Sequence, residues 1–77
     1  PNPAKGSVDI PFSIPQAGNL QFTIRSISGQ ILYTRNIQGI EGNNMFTCDI
    51  TAFADGIYYY SMEYQGQRMT KKITILH

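Results

Sequence analysis

The feature that most restricts how this 77-residue chain can fold is an alternation of apolar and polar side chains that restarts about every ten residues and never gives way to a helical period. Ser7 to Ile14 sets the pattern, with Val8, Ile10, Phe12 and Ile14 on one face and Ser7, Asp9, Pro11 and Ser13 on the other. Period two sends one face of a strand into a core and the other into water. Pro11 has no N–H for a ladder, which makes this an edge strand with Pro11 turned to the unpaired side or at a bulge. Pro15-Gln16-Ala17-Gly18 is the turn that follows.

Leu20, Phe22 and Ile24 then face inward against Gln21, Thr23 and Arg25, a second strand ending near Ser26. Ile27 breaks the phase, a shift that a bulge or the start of a turn absorbs. In Ile27-Ser28-Gly29-Gln30 the glycine is placed to accept a positive φ. The return strand, Ile31 to Ile37, has an ambiguous facing because Ile31 and Leu32 are adjacent and both apolar. Gly39, Gly42, Asn43 and Asn44 mark Gln38 to Asn44 as a loop by composition.

Phe46, Cys48 and Ile50 alternate with Met45, Thr47 and Asp49 in a fourth strand. Thr51 to Gly56 is short enough to turn once, with the Thr51 hydroxyl as cap, Phe53 at the end of the core and Gly56 left-handed. The fifth strand, Ile57 to Tyr64, places Tyr58, Tyr60, Met62 and Tyr64 inward and Ile57, Tyr59, Ser61 and Glu63 outward. Tyr58 is the candidate for a tyrosine corner, in which a tyrosine at a strand start bonds back to the preceding backbone.

Gln65-Gly66-Gln67 is a hairpin turn. The last strand runs Arg68 to Leu76, with Met69, Ile73 and Ile75 on one side, joined by Lys71 nearer the sheet's end, and Arg68, Thr70, Lys72 and Thr74 on the other. Six strands without a helix predict an all-β fold, a small immunoglobulin-like antiparallel β-sandwich of six to seven strands, with a closed barrel as the other architecture.

A chain this short buries only roughly 60–65% of its unfolded surface. With one cysteine, Cys48, it has neither an internal disulfide nor a thiolate metal cluster to add to a thin core. Cys48, on the apolar face, reads as a small buried hydrophobe. Six basic and five acidic residues leave a net charge of +1, which offers no electrostatic footprint for nucleic acid or an anionic membrane. No apolar run reaches the ~18–20 residues of a membrane span, and no signal-peptide pattern stands at the N-terminus. Pro1-Asn2-Pro3 reads as a linker running into a domain, so residues 1–6 are taken as the linker's end and 7–77 as one domain cut from a larger secreted protein.

No constellation carries catalysis, cofactor binding or metal ligation. Asp9, Glu41, Asp49, Asp55 and Glu63 lie in different elements, and the only histidine is His77. The tyrosine run Tyr58-Tyr59-Tyr60 suggests a stacking platform, but alternation leaves only Tyr59, with Tyr33, outside.

Four spaced segments nonetheless resemble a known family. Pro1-Asn2-Pro3 opens the chain; Ile24-Arg25-Ser26-Ile27-Ser28-Gly29-Gln30 is similar to an Ile-Tyr-Asp-Leu-x-Gly-Arg hairpin; Cys48 to Tyr58 keeps Asp49, Gly56 and Tyr58 of a Leu-Asp-Leu-Ser-x-Leu-x-x-Gly-Val-Tyr segment; and Lys71-Lys72-Ile73-Thr74-Ile75 is similar to a Lys-Lys-Ile-x-Ile strand. Together they resemble the C-terminal sorting domain of proteins exported by the type IX (Por) secretion system of Bacteroidetes. Ser26, Gln30 and Ala54 depart from the family's common Asp, Arg and Pro.

The resemblance implies a non-catalytic export signal. An upstream cargo domain enters the periplasm, the outer-membrane translocon recognises the folded domain, and a surface sortase-like peptidase removes it, leaving the cargo at the cell surface or outside the cell. Pro1, Asn2, Pro3, Gly29, Asp49, Gly56 and Tyr58 are then structural motif residues, and Lys71, Lys72, Ile73 and Ile75 the candidate partner contact. An immunoglobulin- or fibronectin-like accessory or carbohydrate-binding module is the alternative, and weak self-association through sheet edges a further expectation.

Overall fold

The alternating segments become six strands in the computed structural model, which describes residues 6–77: β1 (Ser7–Ile14), β2 (Gly18–Ser26), β3 (Ile31–Gly39), β4 (Gly42–Asp49), β5 (Gly56–Tyr64) and β6 (Gln67–Ile75). All pairings are antiparallel. β1 and β4 form a two-stranded sheet, and β3-β2-β5-β6 a four-stranded one. Two separate sheets make this a β-sandwich and not a closed barrel. Among the described residues no helix is long and apolar enough to cross a membrane. Pro11 lies on β1, which pairs with β4 alone, so half of its backbone groups are outside any ladder.

Both sheets send their apolar positions between them. Val8, Ile10 and Ile14 of β1 and Phe46 and Cys48 of β4 meet Leu20, Phe22 and Ile24 of β2, Met62 of β5 and Ile73 and Ile75 of β6. Phe22, fully buried, is the centre: its ring lies 4.8 Å from Phe46, 5.9 Å from Tyr60 and 6.2 Å from Tyr33. Each such burial stabilises the fold by roughly 1.5–3 kcal/mol, and the tilted and edge-on ring contacts add to that.

Tyr33 therefore faces the core, not the solvent beside Tyr59. The ambiguous Ile31-Leu32 pair is explained by a bulge: Ile24 pairs with Tyr33 and Arg25 with Ile31, leaving Leu32 as the extra residue of β3. Both Ile31 and Leu32 stay exposed. The phase break at Ile27 is a turn, in which the Gly29 N–H donates to the Ser26 carbonyl at 2.9 Å and Gly29 takes φ 96°.

The expected loop from Gln38 to Asn44 is shorter. Gly39 closes β3 opposite Gly18 and Gly42 opens β4 opposite Ile14, so Ile40 and Glu41 alone carry the chain from one sheet to the other. Asn44 holds this arch: its Oδ1 accepts the Ile40 N–H at 2.9 Å, and its Nδ2 donates to the carbonyls of Ile40 at 2.9 Å and Gly42 at 3.0 Å.

The outer face of the four-stranded sheet also departs from expectation. Thr23 and Ser61 point outward yet are buried. Thr23 meets Thr34 at 3.4 Å, and Arg25 Nη1 donates to Ser61 Oγ at 3.1 Å, so the hydroxyls are satisfied beneath longer neighbours. On the inner face Lys71 sits opposite Tyr60, in the middle of its strand and not near the sheet's end, and is exposed.

Candidate functional site

Register fixes which turns share an end of the sandwich. Ser7 pairs with Asp49, Ser26 with Tyr58 and Gly56 with Ile75. The start of β1, the Gly29 hairpin, the β4–β5 corner and the end of β6 therefore lie together, about 27–30 Å of strand away from the arch and the Gln65-Gly66 turn. The molecule measures 35 × 22 × 16 Å.

The corner begins at Asp49. Its Oδ1 accepts the Thr51 N–H at 2.9 Å and the Thr51 hydroxyl at 2.8 Å, and the Phe53 N–H donates to the Ile50 carbonyl at 3.1 Å. The capping acceptor is thus Asp49, and the Thr51 hydroxyl donates to it, the reverse of the sequence expectation. These two bonds, the backbone one first, favour the ionised carboxylate and hold Asp49 below its ordinary range. The Ile50 N–H donates to the Gly6 carbonyl at 3.0 Å, tying the corner to the start of the domain.

Phe53 packs against the core edge and edge-on against Tyr58, with centroids 5.6 Å apart. The Tyr58 hydroxyl donates to the Ala54 carbonyl at 2.6 Å, four residues upstream, which is the bond of a tyrosine corner. Gly56 is at φ 157°, close to extended, and not in the left-handed turn expected of it. His77 closes the same corner: its N–H donates to Asp55 Oδ1 at 2.9 Å, and its Nε2 lies 2.7 Å from the Phe53 carbonyl oxygen.

The motif residues thus fall into two groups. Gly29, Asp49, Gly56 and Tyr58 gather at one end through turn geometry, while Pro1, Asn2 and Pro3 lie outside the described residues. Lys71 and Lys72 are exposed on opposite faces of β6, and Ile73 and Ile75 are core, at 5% and 0% exposure. Sequence reasoning did not find His77 as part of the corner, because only the pairing of β5 with β6 brings it there.

The arrangement is suited to holding a shape. Cys48 is buried, its Sγ directed to the Asp49 carbonyl at 3.7 Å, and burial, followed by the charge of Asp49, pushes its thiol up despite Arg35. Burial likewise raises Tyr60. Among the described residues no group of three or more His, Cys, Asp or Glu side chains could hold a metal ion. Asp9 accepts from Thr47 at 2.8 Å, and Glu63 faces Arg68 at 3.9 Å.

Compared with known proteins, residues 1–76 match the family model described as the secretion system C-terminal sorting domain. No curated protein and no solved structure matches the chain.

Proposed function

The chain belongs to the secretion system C-terminal sorting domain family, and from that premise we propose that it is a non-catalytic folded signal read by the type IX outer-membrane translocon once its cargo reaches the periplasm. Type IX sorting directs proteins to the cell surface or the extracellular space. In this reading residues 1–6 end a linker from an upstream cargo domain and residues 7–77 are the signal. A surface sortase-like peptidase cleaves in that linker. Pro1, Asn2 and Pro3 are the linker's share of the family motif, and Gly29, Asp49, Gly56 and Tyr58 build the motif end.

The observation that carries the reading is the convergence of the hairpin, the corner and the last strand, separate segments of the sequence, on one end of the sandwich. A signal recognised only after folding needs that kind of composite surface. We assign the partner contact to β6, whose C-terminal end reaches this surface: Lys71 and Lys72 supply charge from the middle of the strand, and Ile73 and Ile75 anchor it in the core.

The test is a reporter with a cleavable signal peptide at its N-terminus and residues 1–77 at its C-terminus, expressed in a type IX-competent bacterium. The reporter is expected at the surface or in the medium, separated from the domain by cleavage between residue 7 and the reporter. A reporter that accumulates in the periplasm refutes the export reading, and an exported but uncleaved fusion refutes the cleavage step.

A further inference from the structure

Among the described residues nine large apolar side chains are exposed, and six of them border one half of one surface. On the outer face of the four-stranded sheet, Arg25 pairs with Ile31 on one side and Tyr59 on the other, and Tyr59 pairs with Lys72. These make a row across all four strands in the order Ile31, Arg25, Tyr59, Lys72, roughly 14 Å wide at the usual strand spacing. Ile57 lies two residues from Tyr59 on the same face, Leu32 is the bulged neighbour of Ile31, and Ile27 and Leu76 extend the row toward the motif end. Exposure here is 69% for Ile27, 56% for Ile31, 43% for Ile57 and 45% for Leu76.

The other half of this face is different. It carries Gln21, Asn36, Glu63 and Arg68, paired across the strands, and the face's ion pair, Arg68–Glu63, is there. The apolar half has two cations and no carboxylate in its row, and Arg25 Nη1 donates to the neutral hydroxyl of Ser61. Apolar surface gathered to one side of a face, with like charges set between its members, marks an interaction surface and not a solvated one.

We infer that the Ile31-Arg25-Tyr59-Lys72 row and its apolar surround form a docking surface for a protein partner that presents aliphatic side chains flanked by carboxylates. Aliphatic and aromatic contacts supply the desolvated centre, and Arg25 and Lys72 select acidic over basic partners. The inference rests on the export reading, since the translocon is the partner that reading provides, and it narrows the contact on β6 to include the outer face.

The reporter fusion described above tests it, with each variant's thermal unfolding midpoint measured on the purified 77-residue domain as a folding control. Tyr59→Ser, Ile31→Ser combined with Ile57→Ser, and Lys72→Glu are each expected to cut export about tenfold while leaving the midpoint within a few degrees. Lys72→Gln and Lys72→Arg should lose less than Lys72→Glu, and Tyr59→Phe should lose less than Tyr59→Ser. Gln21→Glu, which adds negative charge to the other half of the face, should export normally.

Normal export of folded Tyr59→Ser, the Ile31/Ile57 pair and Lys72→Glu overturns the inference while leaving the export reading intact. Failure of the unsubstituted fusion to export refutes the export reading instead. Sedimentation of the isolated domain covers the remaining occupant. Concentration-dependent dimers abolished by the Ile31/Ile57 substitutions would assign the surface to a second copy and overturn the inference; a concentration-independent monomer supports it.

Discussion

Replacing Tyr58 separates the two things its side chain does at the corner. Tyr58→Phe removes only the hydroxyl, which donates to the Ala54 carbonyl at 2.6 Å, and leaves the edge-on contact with Phe53 at 5.6 Å. A hydrogen bond within a folded protein contributes about 0.5–1.5 kcal/mol net, and because this carbonyl is near solvent, water can replace the lost donor. The expected loss is therefore about 0.5–1 kcal/mol.

Tyr58→Ala also removes the ring. The half-buried ring contributes about 1–2 kcal/mol through apolar burial and about 0.5–1.5 kcal/mol through its pairing with Phe53, so with the hydroxyl the total loss is about 2–4.5 kcal/mol. Urea unfolding gives both free energies from midpoints at a common slope. On heating, each 1 kcal/mol corresponds to roughly 4–8 °C in a domain of this size. The reasoning fails if the phenylalanine variant is as unstable as the alanine one, which would put the corner's stability in the hydroxyl, or if the alanine variant loses less than about 1 kcal/mol.

Gly39→Ala should destabilise the fold by about 1–3 kcal/mol in urea titration, because the added Cβ would lie 2.7 Å from Ile14 Cδ1 and 2.8 Å from Leu20 Cδ1, both on buried side chains. Gln65→Asn should raise stability by a few tenths to about 1 kcal/mol, read as a higher thermal midpoint, since Gln65 at φ 50° and Gly66 at φ 79° form a turn that favours Asn-Gly. Asp49 favours its ionised form in the folded state, so its contribution is present above its ordinary pKa of 3.8 and disappears as pH falls through the lowered folded value. Thermal midpoints measured from neutral pH down through that range should fall less steeply for Asp49→Asn than for the unsubstituted domain.

How much of this was legible in the sequence follows from how local each feature is. The bounds of β1 and the inward set Leu20, Phe22 and Ile24 follow from period two alone, because burial of one face writes itself directly into alternation. The bulge at Leu32 breaks that code: the extra residue puts two apolar neighbours outside, and no local pattern distinguishes this from a strand covered on both sides. Composition overestimated the loop around Gly39, since the same glycine that signals a turn also permits the close approach of Ile14 and Leu20.

Function was legible in a different way. The spacing of Asp49, Gly56 and Tyr58 survives in sequence because it encodes one local turn. The gathering of that turn with Gly29 and His77, and the row from Ile31 to Lys72, depend on pairings between strands distant in the chain. Alternation pairs Tyr59 only with Tyr33 as an outward aromatic, because its actual neighbours Arg25 and Lys72 are 34 and 13 positions away in sequence.

The shared end of β1 and β6 also sets how the domain bears load. Gly6 and His77 both stand at the motif end, so a tether upstream of Gly6 and a grip on the end of β6 pull from the same side. Tension applied there opens the β1–β4 ladder one rung at a time, starting at Ser7 and Asp49, instead of shearing all its rungs at once. Each rung resists with about 1 kcal/mol of hydrogen bonding and, at Val8, Ile10 and Ile14, with the roughly 1.5–3 kcal/mol of their burial, but these are met one at a time, so the sandwich unzips under a smaller force than a shear geometry would require. A domain built this way is firm toward a surface pressed against its side and yielding toward a pull on its leading strand.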